Sequence, residues 1–315
     1  MTAFLYAGQG SQFVGMGKDL YDEYEEFRTV IDEADFGFDH KKLMWEGPEE
    51  VLTDTRYTQP CMAAFAAGVT KILLNMGIVP EAACGLSLGE YGALFAAGVW
   101  DLRTFLELVA FRGEKMAEAA PEQQFAMNAI IGTSAAQAEE ACEAARKTGF
   151  VKVVNYNCPG QYVICGQEEA VAAAAEYAAE HFHARNVRLK TSGPFHTPYL
   201  KPAGDALREK FAGEVFQKPV IPVAMNVSGS ILKPGDDIKE MLEYQVQSPV
   251  RFEEDLRSLI RAGVDEFIEI GPGKVLSGFL TKTARSMGLK VRSFSITTAA
   301  DIKKLQDQRQ AGEMV

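Results

Sequence analysis

The sequence has few cysteines and no long hydrophobic run. Its five cysteines contain no C-x-x-C pair and are odd in number, which argues against a disulfide framework or a zinc site and favours a reducing cytoplasm. No apolar run approaches the ~20 residues that span a bilayer. The first residues, 1–6, lack the basic segment and cleavage site of a signal peptide, so we expect a strand there.

Positive charge is also in deficit. There are 32 Lys and Arg residues against 43 Asp and Glu, which gives a net charge of −11. This balance disfavours nucleic acid or an anionic membrane as a partner, although it is compatible with a local basic patch. With 47% hydrophobic and 24% charged residues, the composition is typical of a globular protein.

The first part of the chain alternates between apolar strands and helices. Strands are predicted at 3–7 and 82–85, and helices at 19–32, 59–74, from 90 onward and 102–119. Asp101 is the predicted N-cap of the last of these helices. This alternation predicts an α/β fold with a mostly parallel sheet and helices on both faces.

The pattern changes near residue 125. Over about 65 residues the predicted order is β-α-β-β-α-β, which is that of a ferredoxin-like α+β unit. We therefore expect a smaller domain, residues 125–191, inserted into a large α/β domain formed by residues 1–124 and 192–315. In the second part of the large domain, buried strands are predicted at 220–227, 266–271 and 291–295, and the polar tail from Asp301 is expected to end in mobile residues.

The most informative motif is Gly85-Leu86-Ser87-Leu88-Gly89. It lies between a short apolar strand and a segment of helical composition, so it predicts a strand–turn–helix elbow with an exposed serine at its apex. Glycines two residues before and after the serine remove side chains that would clash with the strand or the helix. Ser87 is therefore a candidate nucleophile, and Leu88 N–H a candidate oxyanion donor; the alternative is a glycine-rich turn with a solvated serine.

A serine nucleophile needs a base, which is normally histidine. The chain has four histidines. His40 lies in a charged run and is expected at the surface, and His181 and His183 are expected at a solvated helix end. By elimination His196, in a loop constrained by glycine and proline, is the best candidate base.

Two further features are ambiguous when taken alone. Gly8-Gln9-Gly10 follows the first strand without matching a phosphate-binding motif, and it is either an oxyanion-hole loop or a simple turn. Arg112 continues an apolar row of its helix. Taken by itself, the row favours a guanidinium that reaches solvent at the helix edge; a guanidinium pointing inward would need an anionic partner such as a substrate carboxylate.

Together these residues resemble the malonyl-CoA:acyl carrier protein transacylases of bacterial fatty acid synthesis. The resemblance covers nearly the whole chain, and its motifs occur in the family order. They are Gly8-Gln9-Gly10-Ser11-Gln12, Gly85-Leu86-Ser87-Leu88-Gly89-Glu90-Tyr91, Arg112-Gly113-Glu114-Lys115-Met116, Asn157-Cys158-Pro159-Gly160-Gln161, Gly193-Pro194-Phe195-His196, Gln245 with Ser248-Pro249-Val250, and Glu269-Ile270-Gly271-Pro272-Gly273-Lys274-Val275-Leu276.

The resemblance implies a hydrolase-like α/β core that carries a ferredoxin-like insertion. It also implies that Ser87 takes the malonyl group as an ester and that His196 acts as base and then as acid. A backbone carbonyl, expected from Gln245, would orient the imidazole in place of a triad carboxylate. The backbone N–H groups of Gln9 and Leu88 would form the oxyanion hole.

Substrate selection is implied by two more positions. Arg112 would pair with the free malonyl carboxylate, and Phe195, beside the base, resembles the residue that selects malonyl over α-methylated groups. Three positions depart from the common family pattern: Leu86 replaces histidine, Tyr6-Ala7 replaces phenylalanine-proline and Cys158 replaces serine. None of these changes removes a catalytic atom.

The implied reaction is ping-pong transfer from malonyl-CoA to the phosphopantetheine thiol of an acyl carrier protein. It implies no metal and no resident cofactor, and the family tendency is monomeric. Because carrier proteins are acidic, a local basic surface is expected, for which the candidates are Arg185, Arg188, Lys190, Lys201, Lys282 and Arg285; a solvated charged face is the alternative. Other functions left open are a serine hydrolase or thioesterase of the same core, a non-catalytic carrier-binding homologue, and the same transfer in polyketide synthesis.

Overall fold

The structure is a computed structural model that describes residues 1–120, 124–190 and 193–313. In chain order the strands are β1 (Thr2–Tyr6), β2 (Ala82–Gly85), β3 (Phe125–Ile131), β4 (Val151–Cys158), β5 (Gln161–Gln167), β6 (Arg185–Arg188), β7 (Ala224–Met225), β8 (Ser230–Ile231), β9 (Glu266–Ile270) and β10 (Arg292–Ile296).

Helices make up most of the remainder. In chain order they are α1 (Lys18–Glu23), α2 (Glu25–Glu33), α3 (His40–Glu46), α4 (Glu49–Thr53), α5 (Thr55–Asn75), α6 (Gly89–Ala96), α7 (Leu102–Glu118), α8 (Ala135–Ala144), α9 (Glu168–Phe182), α10 (Lys201–Ala212), α11 (Ile238–Gln245), α12 (Phe252–Arg261), α13 (Val275–Ser286) and α14 (Ala299–Glu313). A short 3₁₀ helix, Pro198–Leu200, precedes α10.

The first sheet is parallel, with order β10-β9-β1-β2. Phe4 of β1 is in register with Ala83 on one side and Ile268 on the other. β1, β2 and β9 are buried almost throughout, which explains the apolar runs of β1 and β2; β9 also carries two buried glutamates, Glu266 and Glu269. The carboxyl end of β2 leads directly into the turn that carries Ser87.

Two long helices that pack on each other complete the core near this turn. α5, of 21 residues, contacts both α2 and α7, and its Ala-rich composition permits close approach of the neighbouring helices. The carboxylate of Asp101 accepts a hydrogen bond from Thr104 N–H (2.8 Å), so the predicted N-cap of α7 is confirmed.

The second sheet is antiparallel, with order β4-β5-β3-β6. α8 and α9 pack against it and bury an apolar cluster that includes Ile130 and Ile164. This is the predicted ferredoxin-like arrangement. The second sheet contacts the segment before α12 through Val250, whose N–H donates to Val154 O and whose carbonyl accepts from Tyr156 N–H, both at 2.8 Å.

Two predicted elements were wrong. The single helix expected at 19–32 is two helices, α1 and α2, because Tyr24 between them adopts an extended conformation (φ −121°, ψ 121°). The strand expected at 220–227 is only the two-residue β7, and the Val220 side chain is exposed. Val223 forms an isolated parallel bridge with Ala83, so this segment touches the sheet edge at one point.

The C-terminal segment is helical as far as it is described. α14 extends to Glu313 and buries Ile302 and Leu305 against the core, so the polar composition from Asp301 reflects only its outer face. Met314 and Val315 lie outside the described residues, as do positions 191 and 192 at the predicted domain boundary.

Candidate active site

Ser87 stands at the apex of a strained elbow. Its φ is 55°, in the left-handed region that is unfavourable for a residue with a side chain. A Cβ atom at Gly85 would lie 2.0 Å from the backbone carbon of Gly89, and one at Gly89 would lie 2.0 Å from Tyr6 O. The turn is this tight because α6 packs directly over β1 and β2, and only glycine fits at both positions.

His196 is brought to the serine from a loop 109 residues further along the chain. Its Nε2 lies 2.8 Å from Ser87 Oγ, and its Nδ1 lies 2.9 Å from Gln245 O. Because a carbonyl only accepts hydrogen bonds, Nδ1 carries the proton and Nε2 is free to accept from the serine hydroxyl. The backbone is fixed by His196 N–H, which donates to Val246 O (3.0 Å).

The imidazole is held in its neutral form. Burial, followed by the positive charge of Arg112, lowers the pKa of His196 to about 4, since both disfavour an imidazolium. His196 can therefore accept a proton from Ser87 at neutral pH.

Arg112 is fully buried on α7 and points into the site. The interpretation of this residue in isolation, at a solvated helix edge, was wrong; the inward position implied by the family resemblance is what the structure has. Its Nη2 donates to Ser87 Oγ (3.1 Å) and Gln245 Oε1 (2.9 Å), and its Nη1 donates to Gln59 Oε1 (2.7 Å). The guanidinium also lies 5.4 Å from the centroid of the Tyr91 ring.

The charge of Arg112 has no carboxylate partner among the described residues. All of its hydrogen-bond acceptors are neutral oxygens, and burial lowers its pKa. A guanidinium remains protonated under ordinary conditions. The site therefore holds a buried positive charge beside the serine that an anionic group could neutralise.

Gln245 contributes more than the predicted carbonyl. Besides accepting from His196 Nδ1 through its backbone, it donates from Nε2 to Ser87 O (2.8 Å) and accepts from Arg112 at Oε1. One residue at the end of α11 thus contacts the candidate base, nucleophile and cation. Since it is fully buried, these hydrogen bonds fix the three groups relative to one another.

The two backbone N–H groups predicted for an oxyanion hole lie on adjoining loops. Gly8 is so close to the elbow that a Cβ atom there would lie 2.5 Å from Leu86 O, and the Leu86 N–H donates to Tyr6 O (3.0 Å). Within the described part of the chain, the N–H groups of Gln9 and Leu88 donate to no protein acceptor. The Gln9 side chain is held by Thr55 Oγ1 (2.9 Å).

Phe195, next to the base in sequence, is buried in the apolar cluster that also contains Met127 and Cys165 of the second sheet. A Cβ atom at Gly193 would lie 2.4 Å from the Phe195 ring. The glycine therefore allows the loop to pass over the aromatic ring.

The other histidines lie elsewhere. His40 is buried, contrary to the surface position predicted from its charged neighbours, because its Nε2 lies 2.9 Å from Ile31 O and its ring packs against Phe36. His181 and His183 are exposed at the end of α9, as predicted. Over residues 1–120, 124–190 and 193–313 no three His, Cys, Asp or Glu residues are grouped in a way that could hold a metal ion.

Sequence reasoning missed several residues that touch the site. Gln59, Asn226 and Asp255 carried no motif, and they reach the site from distant elements. Glu90 was part of the elbow motif but had no assigned role.

Among the described helices none is long and apolar enough to cross a membrane.

Comparison with known proteins places this geometry in a family. The family model described as "Acyl transferase domain" matches residues 3–313. The chain is 41% identical over 309 residues to a malonyl CoA-acyl carrier protein transacylase of Bacillus subtilis, covering 97% of this chain and 98% of the relative.

Solved structures agree with the sequence comparison. A malonyl CoA-acyl carrier protein transacylase from Clostridium perfringens superimposes with a TM-score of 0.93 at 36% identity, covering 99% of this chain and 98% of that one. A malonyl-transacylase solved in complex with a type II PKS acyl-carrier protein gives a TM-score of 0.89 at 35% identity, covering 95% and 97%. The chain therefore belongs to the malonyl CoA-acyl carrier protein transacylase family and is an acyltransferase.

Proposed function

We propose that this chain transfers a malonyl group from malonyl-CoA to the phosphopantetheine thiol of an acyl carrier protein, through a malonyl ester on Ser87. The observation that carries the proposal is the position of Arg112. Its buried guanidinium lies 3.1 Å from Ser87 Oγ and has only neutral partners among the described residues. A malonyl ester places a carboxylate a short distance from the ester carbonyl, where a guanidinium could bind it through two hydrogen bonds.

In the first half-reaction, Ser87 Oγ attacks the thioester carbonyl while His196 Nε2 takes the hydroxyl proton. The carbonyl oxygen gains negative charge, which the N–H groups of Gln9 and Leu88 stabilise. When the C–S bond breaks, the proton moves from His196 to the departing CoA sulfur. Gln245 O stabilises the transient imidazolium through Nδ1–H, which is the role that a carboxylate has in a triad.

The second half-reaction reverses these steps with another thiol. His196 takes the proton of the phosphopantetheine thiol, the sulfur attacks the malonyl ester, and Ser87 Oγ leaves with the proton. Phe195, buried beside the base, would limit the space available to a substituted malonyl group. No resident cofactor is needed, because both substrates bring their own thioester or thiol.

The partner is inferred from the relatives. Their names specify an acyl carrier protein, and one solved relative is a complex with such a protein. The basic residues predicted for a docking surface stay a prediction. All six are exposed: Arg185, Arg188, Lys190, Lys201, Lys282 and Arg285. Three of them form ion pairs, Arg188 with Glu168, Lys190 with Glu49 and Lys201 with Asp205. A monomeric state and a cytoplasmic location also stay predictions.

We also propose that the chain divides into the two domains predicted from its sequence, residues 1–124 with 192–315, and residues 125–191. The two separate sheets support this division, since every strand of the antiparallel sheet lies between residues 125 and 188.

Intact-protein mass spectrometry tests the reaction. After mixing with malonyl-CoA, we expect one malonyl adduct on Ser87, which moves to holo acyl carrier protein when that protein is added. The Ser87→Ala variant should form no adduct. The control variant Ser134→Ala, which changes the N-cap of α8, should behave like the unmodified chain. An adduct lost to water in the presence of carrier protein would favour a hydrolase, and the absence of an adduct would contradict an enzymatic role for Ser87.

A further inference from the structure

The side chain of Asn226 supports the elbow from below. Asn226 follows β7 and is fully buried. Its Oδ1 accepts from the Ser87 N–H (2.7 Å), and its Nδ2 donates to Gly85 O (2.8 Å). The side-chain amide of Asn226 thus forms hydrogen bonds with two backbone groups of the turn, one at Gly85 and one at Ser87.

This contact acts on the residue that most needs it. Ser87 is in the left-handed conformation (φ 55°), which an L-residue with a side chain adopts only when its surroundings hold it there. The Asn226 bond satisfies the Ser87 backbone N–H in that conformation. Its loss would leave the turn free to relax and would move Oγ relative to His196 Nε2, now 2.8 Å away.

Asn226 is itself held by two buried carboxyl groups. Its backbone N–H donates to Glu90 Oε2 (2.5 Å), and its Nδ2 donates to Asp255 Oδ2 (2.8 Å). Glu90 and Asp255 are both fully buried, and each has a second oxygen without a hydrogen-bond partner among the described residues. Neither carboxyl group forms an ion pair with any residue that the structure describes.

An amide is the only common side chain of this size that fits these contacts. It must accept one hydrogen bond, from Ser87 N–H, and donate two, to Gly85 O and Asp255 Oδ2. An aspartate of the same shape could not make both donations, because it donates none when ionised and only one when protonated. The isosteric change Asn226→Asp therefore alters the bonding without altering the volume.

The surroundings favour protonated carboxyl groups. Burial raises the pKa of Glu90 to about 8, partly offset by the Asn226 N–H and the charge of Arg112. Burial, followed by the nearby Glu90 and with Glu254 as a smaller cause, also raises the pKa of Asp255. Other titratable groups on the elements packed around them are Cys84, Tyr91 and His196.

We propose that Asn226 is a positioning residue for acyl transfer at Ser87, and that Glu90 and Asp255 hold its amide in the working orientation. This inference rests on the proposed function. Asn226 touches no reacting atom; it fixes the backbone that presents Oγ to His196. Its loss should therefore slow the acylation of Ser87 and leave the binding of the malonyl carboxylate at Arg112 largely intact.

Rapid-quench measurement of Ser87 acylation, together with KM for malonyl-CoA, tests the inference on the full chain. For Asn226→Asp we expect acylation to slow by about 10- to 100-fold, with KM changed by less than about threefold. Asn128→Ala is the matched control, since Asn128 is a buried asparagine of β3 that bonds to Asn186 and not to the elbow. Its acylation rate should remain within about twofold of the unmodified chain.

A second pair of variants covers the case in which changes at Asn226 prevent folding. In Glu90→Gln and Asp255→Asn the side-chain carbonyl can still accept from Asn226, but neither group can ionise. We expect the unmodified chain to lose acylation rate above about pH 8, as Glu90 ionises beside the elbow, and this loss to shrink in Glu90→Gln. A purely structural contribution would lower the melting temperature without moving the pH profile.

Some outcomes would overturn the inference without touching the proposed function. These are a normal acylation rate in a folded Asn226→Asp variant, a rise in KM that accounts for the whole loss, or an unchanged alkaline profile in Glu90→Gln. If the unmodified chain forms no malonyl ester, the proposed function fails instead. Asn226 can then still be tested with a fluorophosphonate probe, whose reaction with Ser87 should slow in Asn226→Asp.

Discussion

Ser87 lies between two buried polar clusters of opposite character. On one side Arg112 is surrounded by the neutral side chains of Gln59 and Gln245. On the other side the neutral amide of Asn226 is surrounded by the carboxyl groups of Glu90 and Asp255. Over the residues that the structure describes, Arg112 has no carboxylate within ion-pair distance, and neither Glu90 nor Asp255 has a cation within that distance.

The two clusters resolve their excess of charge differently. A guanidinium cannot release its proton at working pH, so the charge of Arg112 is neutralised only by an anion that enters the site. A carboxyl group can take up a proton, so Glu90 and Asp255 lose their charge without any partner. We infer that the Arg112 cluster is completed by substrate and the Asn226 cluster by a proton, which separates binding from positioning.

The largest effect should come from the residues between the clusters. His196→Ala removes the base that lies 2.8 Å from Ser87 Oγ, and we expect the acylation rate to fall by about 10²- to 10⁴-fold. His181→Ala, which changes an exposed histidine at the end of α9, is the control. A rate within tenfold of the unmodified chain would mean that another group takes the serine proton.

Removal of the cation should come next. In Arg112→Ala we expect kcat/KM for malonyl-CoA to fall by about 10²- to 10³-fold, while acetyl-CoA loses less or gains, because acetyl has no carboxylate to pair. Steady-state assays with both thioesters measure this, with Arg103→Ala as the control, since Arg103 is exposed on the same helix. If both thioesters are affected equally, Arg112 does not bind the carboxylate.

A carboxylate supplied by the protein should cancel the difference between the clusters. Gln59 Oε1 lies 2.7 Å from Arg112 Nη1, so Gln59→Glu would give Arg112 an internal partner. We expect KM for malonyl-CoA to rise by about 10-fold or more because substrate must then compete with Glu for the cation. The ratio of malonyl to acetyl transfer measures the effect, and an unchanged ratio would contradict the claim that Arg112 must be free of a protein anion.

The acid limb of the pH profile should shift by a smaller amount. The pKa of His196 is lowered to about 4 by burial and by Arg112, so kcat/KM should hold down to about pH 5 and fall only below it, as the imidazole takes up a proton. In Arg112→Gln one of these causes is gone, so the acid limb should move to higher pH. A limb that stays in place would mean that Arg112 does not influence the base.

Stability should change with pH independently of the reaction rate. In the folded protein, burial raises the pKa of Glu90 to about 8, against an ordinary value of 4.5 for a glutamate side chain. Between these values the folded state holds more protons than the unfolded state, so the free energy of unfolding should fall as pH rises. Urea unfolding at about pH 5 and pH 8 should show a smaller fall in Glu90→Gln; an identical fall would contradict the raised pKa of Glu90.

The residues around Ser87 and Arg112 could be predicted from the sequence better than the Asn226 cluster could. The elbow and its two glycines are local, so the backbone constraint at Ser87 could be predicted from five consecutive residues. His196 followed by elimination, and the inward position of Arg112 followed only from the family resemblance. None of these steps depended on how distant segments pack.

The Asn226 cluster depends entirely on such packing. Asn226 lies 139 residues from Ser87 in the sequence. It directly follows β7, a two-residue strand for which a longer strand, 220–227, was predicted. Asp255 reaches it from α12. The surface position predicted for His40 was wrong for the same reason. Its charged sequence neighbours did not show that the ring packs against Phe36. Local patterns do not encode contacts of this range.

Competition between malonyl-CoA and acetyl-CoA for Ser87 tests the central claim most directly. The unmodified chain is mixed with equal concentrations of both, quenched before one turnover is complete, and examined by intact-protein mass spectrometry; holo acyl carrier protein is then added. We expect much more malonyl ester than acetyl ester, and we expect the malonyl group to pass to the carrier protein. Equal loading of the two groups would contradict the claim that the unpaired charge of Arg112 selects the substrate.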